Sequence, residues 1–125
     1  EVIKTMKVNK ENMADACKIG HLSATDLADY LVEKCDIAFR EAHFITGKAV
    51  ALADSKECDI SELNFDDLYK IDNRIKDDVL QYLDLRHSMN ARCSTGGTAT
   101  KETKKQVKYF KKWLEKKSKK CRKKD

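Results

Sequence analysis

The chain has no proline and only four glycines in 125 residues. Proline is the strongest helix stop and glycine supplies left-handed backbone, so their scarcity leaves helices joined by short polar turns as the expected architecture. The five cysteines, Cys17, Cys35, Cys58, Cys93 and Cys121, are odd in number, far apart and without a CxxC pair. That spacing argues against a zinc ribbon and against a disulfide framework, and reduced thiols are expected. There is no run of about 18 apolar residues and no charged-then-apolar leader, so a soluble, cytoplasmic chain with no membrane partner is expected.

Charge is what the sequence has in quantity: 38% of residues are Asp, Glu, Lys or Arg, with a formal net charge of +5. The sum hides an asymmetry. Residues 101–125 carry thirteen Lys or Arg against three acids, while the preceding hundred residues are net acidic.

The stretch Leu22–Ala53 reads as two helices joined by a tight turn. Ser23 and Thr25 offer hydroxyl caps and Asp26 and Asp29 put negative charge in a first turn, so the first helix is expected to begin near Asp26. Leu27, Tyr30 and Leu31 then share a face. Asp36 is expected to cap the second helix. Phe39, Ala42, Thr46, Ala49, Val50 and Ala53, with Ile45 and Leu52, leave so much of its circumference apolar or small that it should be the most buried helix.

Residues 1–7 read as the end of a helix that begins earlier. Asn9 should cap a helix from Lys10 to about Lys18 that presents Met13, Ala14 and Cys17, with Gly20 as its left-handed terminus. Asn64 should cap a short helix turning Phe65, Leu68 and Tyr69 inward. A further helix is expected over about Asn73–Leu83, with Ile75, Val79, Leu80 and Leu83 at helical spacing. Neither period holds over residues 84–99, which are expected to form one long irregular loop. A last helix should run from Thr100 to Lys117, with Val107, Phe110, Trp113 and Leu114 on one side. The expected fold is therefore all-α: a small orthogonal bundle of five to six helices in one domain over residues 1–117, followed by a disordered basic tail, 118–125.

Several residues have the chemistry of a site. Cys17 and His21 have a spacing that could offer two zinc ligands, but Gly20 interrupts the helix between them and no second ligand pair lies nearby, so a core cysteine and a surface histidine are expected. His43 is read as a core histidine bonded to a neighbour. His87, Ser88 and Cys93 are nucleophile and base types with nothing to place them within reach of one another. Gly96-Gly97-Thr98 before a helix could cradle an anion, yet it lacks a phosphate-loop lysine, and a turn capped by Thr98 or Thr100 is the plainer reading. The Lys-rich helix invites nucleic-acid binding, but in the second helix Arg40, Lys48 and Lys56 are balanced by Glu41, Asp54 and Glu57, which makes a poor phosphate-facing surface. No catalytic, cofactor-binding or metal residue is assigned.

Four runs, VNKENMADA (Val8–Ala16), ATDLADYLVEK (Ala24–Lys34), FREAHFITGKAVALA (Phe39–Ala53) and a loop carrying Ser88, Arg92, Gly96, Gly97 and Thr98, resemble in order and separation the C-terminal domain of argininosuccinate lyases, in the fumarase and aspartase superfamily. Cys35, Ala38 and Thr95 depart from the glycine, proline and aromatic usual there. The resemblance implies a parent enzyme that cleaves argininosuccinate to arginine and fumarate by β-elimination in arginine biosynthesis, without a cofactor, as a homotetramer built on a central helical domain. It also implies that the base serine, on a Gly-Ser-Ser-x-Met-Pro-x-Lys-x-Asn loop, and a histidine come from other domains. These 125 residues contain no such loop, so the isolated chain should be an inactive accessory domain, a monomer or weak oligomer, partnered in the parent by the central domain. A small helical module binding nucleic acid or another polyanion through its Lys-rich helix is the alternative.

Overall fold

A computed structural model describes residues 1–121, and among these all regular structure is helical. Eight α-helices follow one another: α1 Val2–Thr5, α2 Lys10–Ala16, α3 Ala24–Cys35, α4 Phe39–Ser55, α5 Phe65–Ile71, α6 Val79–Leu83, α7 Leu85–Ala91 and α8 Thr100–Cys121, with one 3-10 turn, Ile60–Glu62, before α5. The chain forms two compact units, Glu1–Leu85 and Arg86–Asp125.

The first unit is organised on the α3–α4 pair. Leu27, Tyr30 and Leu31 of α3 meet Ala42, Ile45, Ala49 and Ala53 of α4, and Ile37, Ile60, Leu63, Leu68, Ile75, Val79 and Leu83 close the core around them. Ala42, Ala49 and Ala53 are fully buried. Their small side chains let two helices approach closely, and Leu27 and Leu31 fill the space between.

Caps divide into those set locally and those set by the turn. Asn9 and Asn64 accept from the Asn12 and Asp67 amides as expected, and Asp59 and Glu62 form a reciprocal capping box around the 3-10 turn. Ser23 is the N-cap of α3, but its hydroxyl makes no cap bond and is buried without a partner, and the helix starts at Ala24. Asp36 does not cap α4. It ends α3 in the left-handed region at φ 53°, and Ala38 takes the N-cap position. The reason is the brevity of the link: reversing direction between Cys35 and Phe39 requires one left-handed residue, and no glycine is there.

Five other expectations are corrected. Only one side of α4 is buried, toward α3, α5 and the 3-10 turn, and Phe39 and Phe44 are largely exposed. Tyr69 and Leu80 are half exposed rather than turned inward. The helix expected over 73–83 is reduced to Val79–Leu83, because Asp72 accepts from the Arg74 amide and draws the preceding backbone into a side-chain-stabilised turn. Residues 84–99 are not irregular throughout: α7 occupies Leu85–Ala91 but buries none of its residues, and a helix with no buried face leaves no apolar stripe in the sequence. The last helix continues four residues beyond Lys117 to Cys121, and the rest of the expected tail, 122–125, lies outside the described residues.

Candidate functional site

The loop between α7 and α8 is the most closely constrained piece of backbone in the second unit. Arg92 folds back on α7, its Nη1 donating to the Ser88 carbonyl at 2.6 Å and to the Ser88 hydroxyl at 2.7 Å. The chain then turns at Ser94–Gly97, where the Gly97 amide donates to the Ser94 carbonyl at 2.8 Å and Gly96 holds φ 84°. At Gly97 a Cβ would lie 2.2 Å from the Arg92 carbonyl oxygen. Only glycine permits that approach, and it lets the Ala99 amide reach the same carbonyl at 3.2 Å. The Thr98 hydroxyl donates to the Met89 carbonyl, and the Thr100 amide donates to Asn90 Oδ1 at 3.2 Å.

This geometry decides between the two readings of Gly96-Gly97-Thr98. The amides of Gly97, Ala99 and Thr100 that would have to point at an anion are donated to Ser94, Arg92 and Asn90. Glu102, 7% exposed and paired with Lys105, supplies the negative charge that the α8 terminus favours. The motif is a turn, capped from α7 by Asn90 rather than by Thr98 or Thr100. Its signature residues Ser88, Arg92, Gly96, Gly97 and Thr98 thus converge on one structural task, fixing where α8 starts. Cys93 is exposed in the same loop.

His21 and Cys17 are separated in role. His21 is largely buried, with φ 53°; its Nδ1 accepts from the Ile60 amide at 3.1 Å, and its Nε2 lies 3.0 Å from Asp54 Oδ1. Its amide donates to Asp59 Oδ2 at 2.9 Å. Nδ1 thus ties the α2–α3 link to the 3-10 turn and Nε2 ties it to the end of α4. The expected core cysteine and surface histidine are reversed: Cys17 is exposed, and His21 is held inward by these bonds, which no local pattern announces. For Asp59, burial works to raise the pKa, but hydrogen bonds from Ser61 and His21 outweigh it and hold the carboxyl below its ordinary value. His43 is not a core residue. It is exposed on α4, its ring against Phe39 at a centroid distance of 6.4 Å.

Two further clusters link residues distant in sequence. Tyr30 Oη donates to Asp78 Oδ1 at 2.5 Å and accepts from the Lys76 amide, while Cys35 Sγ donates to the Arg74 carbonyl. Burial, together with the bond to Asp78, pushes the Tyr30 hydroxyl well above its ordinary pKa, and burial raises the Cys35 thiol. Arg74 pairs with Asp72 and with Glu41 at 2.5 Å, which holds the Asp72 carboxyl low and raises the guanidinium. Arg74 and the Asp72–Asp78 turn therefore clamp α3 and α4. Periodicity could not find these pairs, because partners 33 to 48 residues apart leave no local pattern.

Among the described residues no group of three or more His, Cys, Asp or Glu is arranged to hold a metal ion, and no helix is long and apolar enough to cross a membrane. What is built with care is scaffold: two clamps, a His21 tie and the loop that launches α8.

Residues 21–90 match the family model described as argininosuccinate lyase C-terminal. The chain is 66% identical over 115 residues to an argininosuccinate lyase of a Nitratiruptor species, covering 92% of this chain and 25% of that protein. It is 60% identical over 114 residues to that of Sulfurimonas denitrificans, covering 91% and 25%, and 53% identical over 116 residues to that of Campylobacter hominis, covering 93% and 25%. The chain spans about a quarter of the length of these curated relatives. With the α3–α4 pair, α5 and α6 all falling within the matched residues, the chain belongs to the argininosuccinate lyase C-terminal family.

Proposed function

We propose that the chain works as the C-terminal accessory domain of an argininosuccinate lyase, the parent enzyme cleaving argininosuccinate to arginine and fumarate by β-elimination in cytoplasmic arginine biosynthesis. One observation carries the reading: similarity spans nearly all of this chain but only a quarter of each relative. In the parent a base removes the proton beside a carboxylate and the guanidinium nitrogen leaves. Such chemistry requires an acid and a base within hydrogen-bond reach of the substrate. The titratable clusters of this chain are engaged in holding helices together, so the base serine and histidine belong to the rest of the parent and the chain alone is inactive.

Residues 1–117 act here as one domain. They pack against the central helical domain of a homotetramer and help close its active site, with α7 and the loop after it on the side that gates it. Deleting these residues from a full-length lyase should lower kcat/KM by at least about tenfold, a loss of roughly 1.4 kcal/mol of transition-state stabilisation. Unchanged kcat and KM would sink the gating role, and fumarate release by the isolated chain would sink its inactivity.

The ten lysines of α8 against two glutamates favour one second reading, a polyanion-binding helix. It predicts an electrophoretic shift of nucleic acid by this chain that weakens steeply with salt and is lost without residues 101–125. No shift at low salt eliminates it.

A further inference from the structure

Advancing 100° per residue along α8, Val107, Phe110, Trp113 and Leu114 fall on one side with Tyr109 at its margin, while Lys101, Lys104, Lys105, Lys108, Lys112 and Lys116 fall on the other; Lys117 lies within the apolar side, its Nζ 4.9 Å from the centre of the Trp113 ring. The apolar side is open: Val107 is 49%, Phe110 56%, Trp113 43%, Leu114 59% and Tyr109 63% exposed. Three rings at about half exposure leave roughly 300 Å² of aromatic surface, and with Val107 and Leu114 the stripe reaches the size that marks an interaction site on a monomer. Along its lysine side, a groove of about 640 Å³ is lined by Lys104, Lys108, Lys111 and Lys112 against the single carboxylate of Glu115, with Val107 on its apolar edge.

We infer that this two-faced helix is the surface by which the chain docks on the remaining three quarters of a full-length lyase, seating Phe110, Trp113 and Leu114 on an apolar helical face bordered by carboxylates that meet the lysine groove. The inference rests on the accessory-domain reading. The stretch shared with the Nitratiruptor lyase covers 115 of the 125 residues, so wherever it begins it includes residues 107–114. The positions of the stripe therefore lie within the stretch that aligns with that lyase, and three quarters of such a protein is available to cover them. Charge selects the chemistry of the partner. Two copies of α8 pairing stripe to stripe would bring together two helices of ten lysines and two acids each, whereas carboxylates beside an apolar face complement one.

Trp113 is the only tryptophan of the chain, so it reports the stripe directly. The test incorporates 5-fluorotryptophan into this chain and into a full-length lyase carrying it, assigns the Trp113 resonance with Trp113→Phe, and follows its 19F solvent-isotope shift and paramagnetic-quencher broadening. The ring should be accessible in the isolated chain and at least about fivefold less accessible in the full-length protein, as for an aromatic moved into an interface. Lys108→Glu with Lys112→Glu, both exposed, should restore accessibility without unfolding the protein. Equal accessibility in both proteins overturns the inference. So does protection in the isolated chain that grows with its own concentration, or protection by duplex DNA or phosphatidylglycerol vesicles with none in the full-length protein. Protection of Trp113 with kinetics indifferent to domain deletion would remove the gating role and leave the docking surface; altered kinetics with Trp113 still exposed would do the reverse.

Discussion

At the scale of single residues, the second unit depends on one missing methyl group. Replacing Gly97 by alanine puts Cβ 2.2 Å from a backbone oxygen that already accepts from Ala99. The loop must open, at a cost of about 3 kcal/mol. Gly96→Ala meets no atom but must hold φ 84°, costing about 1–2 kcal/mol. Hydrogen exchange should show the difference, with Gly97→Ala deprotecting the Ala99 and Thr103 amides more than Gly96→Ala; equal protection would refute the close-approach argument. Titration supplies a second residue-scale prediction. Asp72, beside Arg74, Asp59 and Asp67 have folded pKa values below the ordinary 3.8. Their stabilisation is fully present above that value and is lost as pH falls through the depressed ones. Tyr30 and Cys35 run the other way. Their pKa values are raised above the ordinary 10.0 and 9.0, so their contribution is complete below those values and fades as pH rises beyond them. Tyr30→Phe should cost about 1–2 kcal/mol at neutral pH by stranding Asp78, and should flatten the alkaline limb of a Tm-versus-pH curve; an unchanged limb would assign it elsewhere.

At the scale of elements, the α3–α4 link joins the sequence pattern to the structure. Leu27, Tyr30 and Leu31 were legible as one buried face because a helix packed on one side repeats at i, i+3 and i+4. Asn9 and Asn64 were legible as caps because a cap acts within three residues. The misses share a cause. The Asp72–Arg74–Glu41 and Tyr30–Asp78 pairs, the Asn90 cap and the Asx turn that shortens α6 all depend on partners set by tertiary structure, and α7 buries nothing that periodicity could register. Of the candidate site, the loop signature was visible as residues while its work was not, since the Gly97 approach to Arg92 is a distance between backbones. Ala38 carries the prediction at this level. It stands where the family usually has proline, and its φ of −59° is already proline's. Ala38→Pro should therefore stabilise the chain by about 0.4–1 kcal/mol, chiefly by restricting the unfolded state. A fall in Tm would show that the amide or Ile37 before it resists the ring.

At the scale of the whole chain, the core and the charge are divided between the two units. Each of the fourteen buried residues of the hydrophobic cluster lies between Leu27 and Leu83, inside the first unit. Residues 86–119 contribute only Ala99 and Glu102 to the buried set, and α8 carries its large apolar side chains exposed. A unit holding the whole cluster should fold by itself, whereas a long helix on a short loop gains little from packing and depends on helix propensity, which is marginal for isolated segments in water. A chain ending at Leu85 is thus expected to unfold in one cooperative transition within a few degrees of the full chain, with core amides equally protected. Residues 86–125 alone should be partly helical, lose helicity gradually on heating, and gain it when an acidic, apolar-faced helix is supplied. If the first unit instead melted without cooperativity once α8 was removed, the stripe of Val107, Phe110, Trp113 and Leu114 would be needed by the chain's own fold, and its place as a docking surface for the rest of the lyase would pass to the exposed Val2, Ile3, Met6 and Met13 of α1, α2 and the link between them.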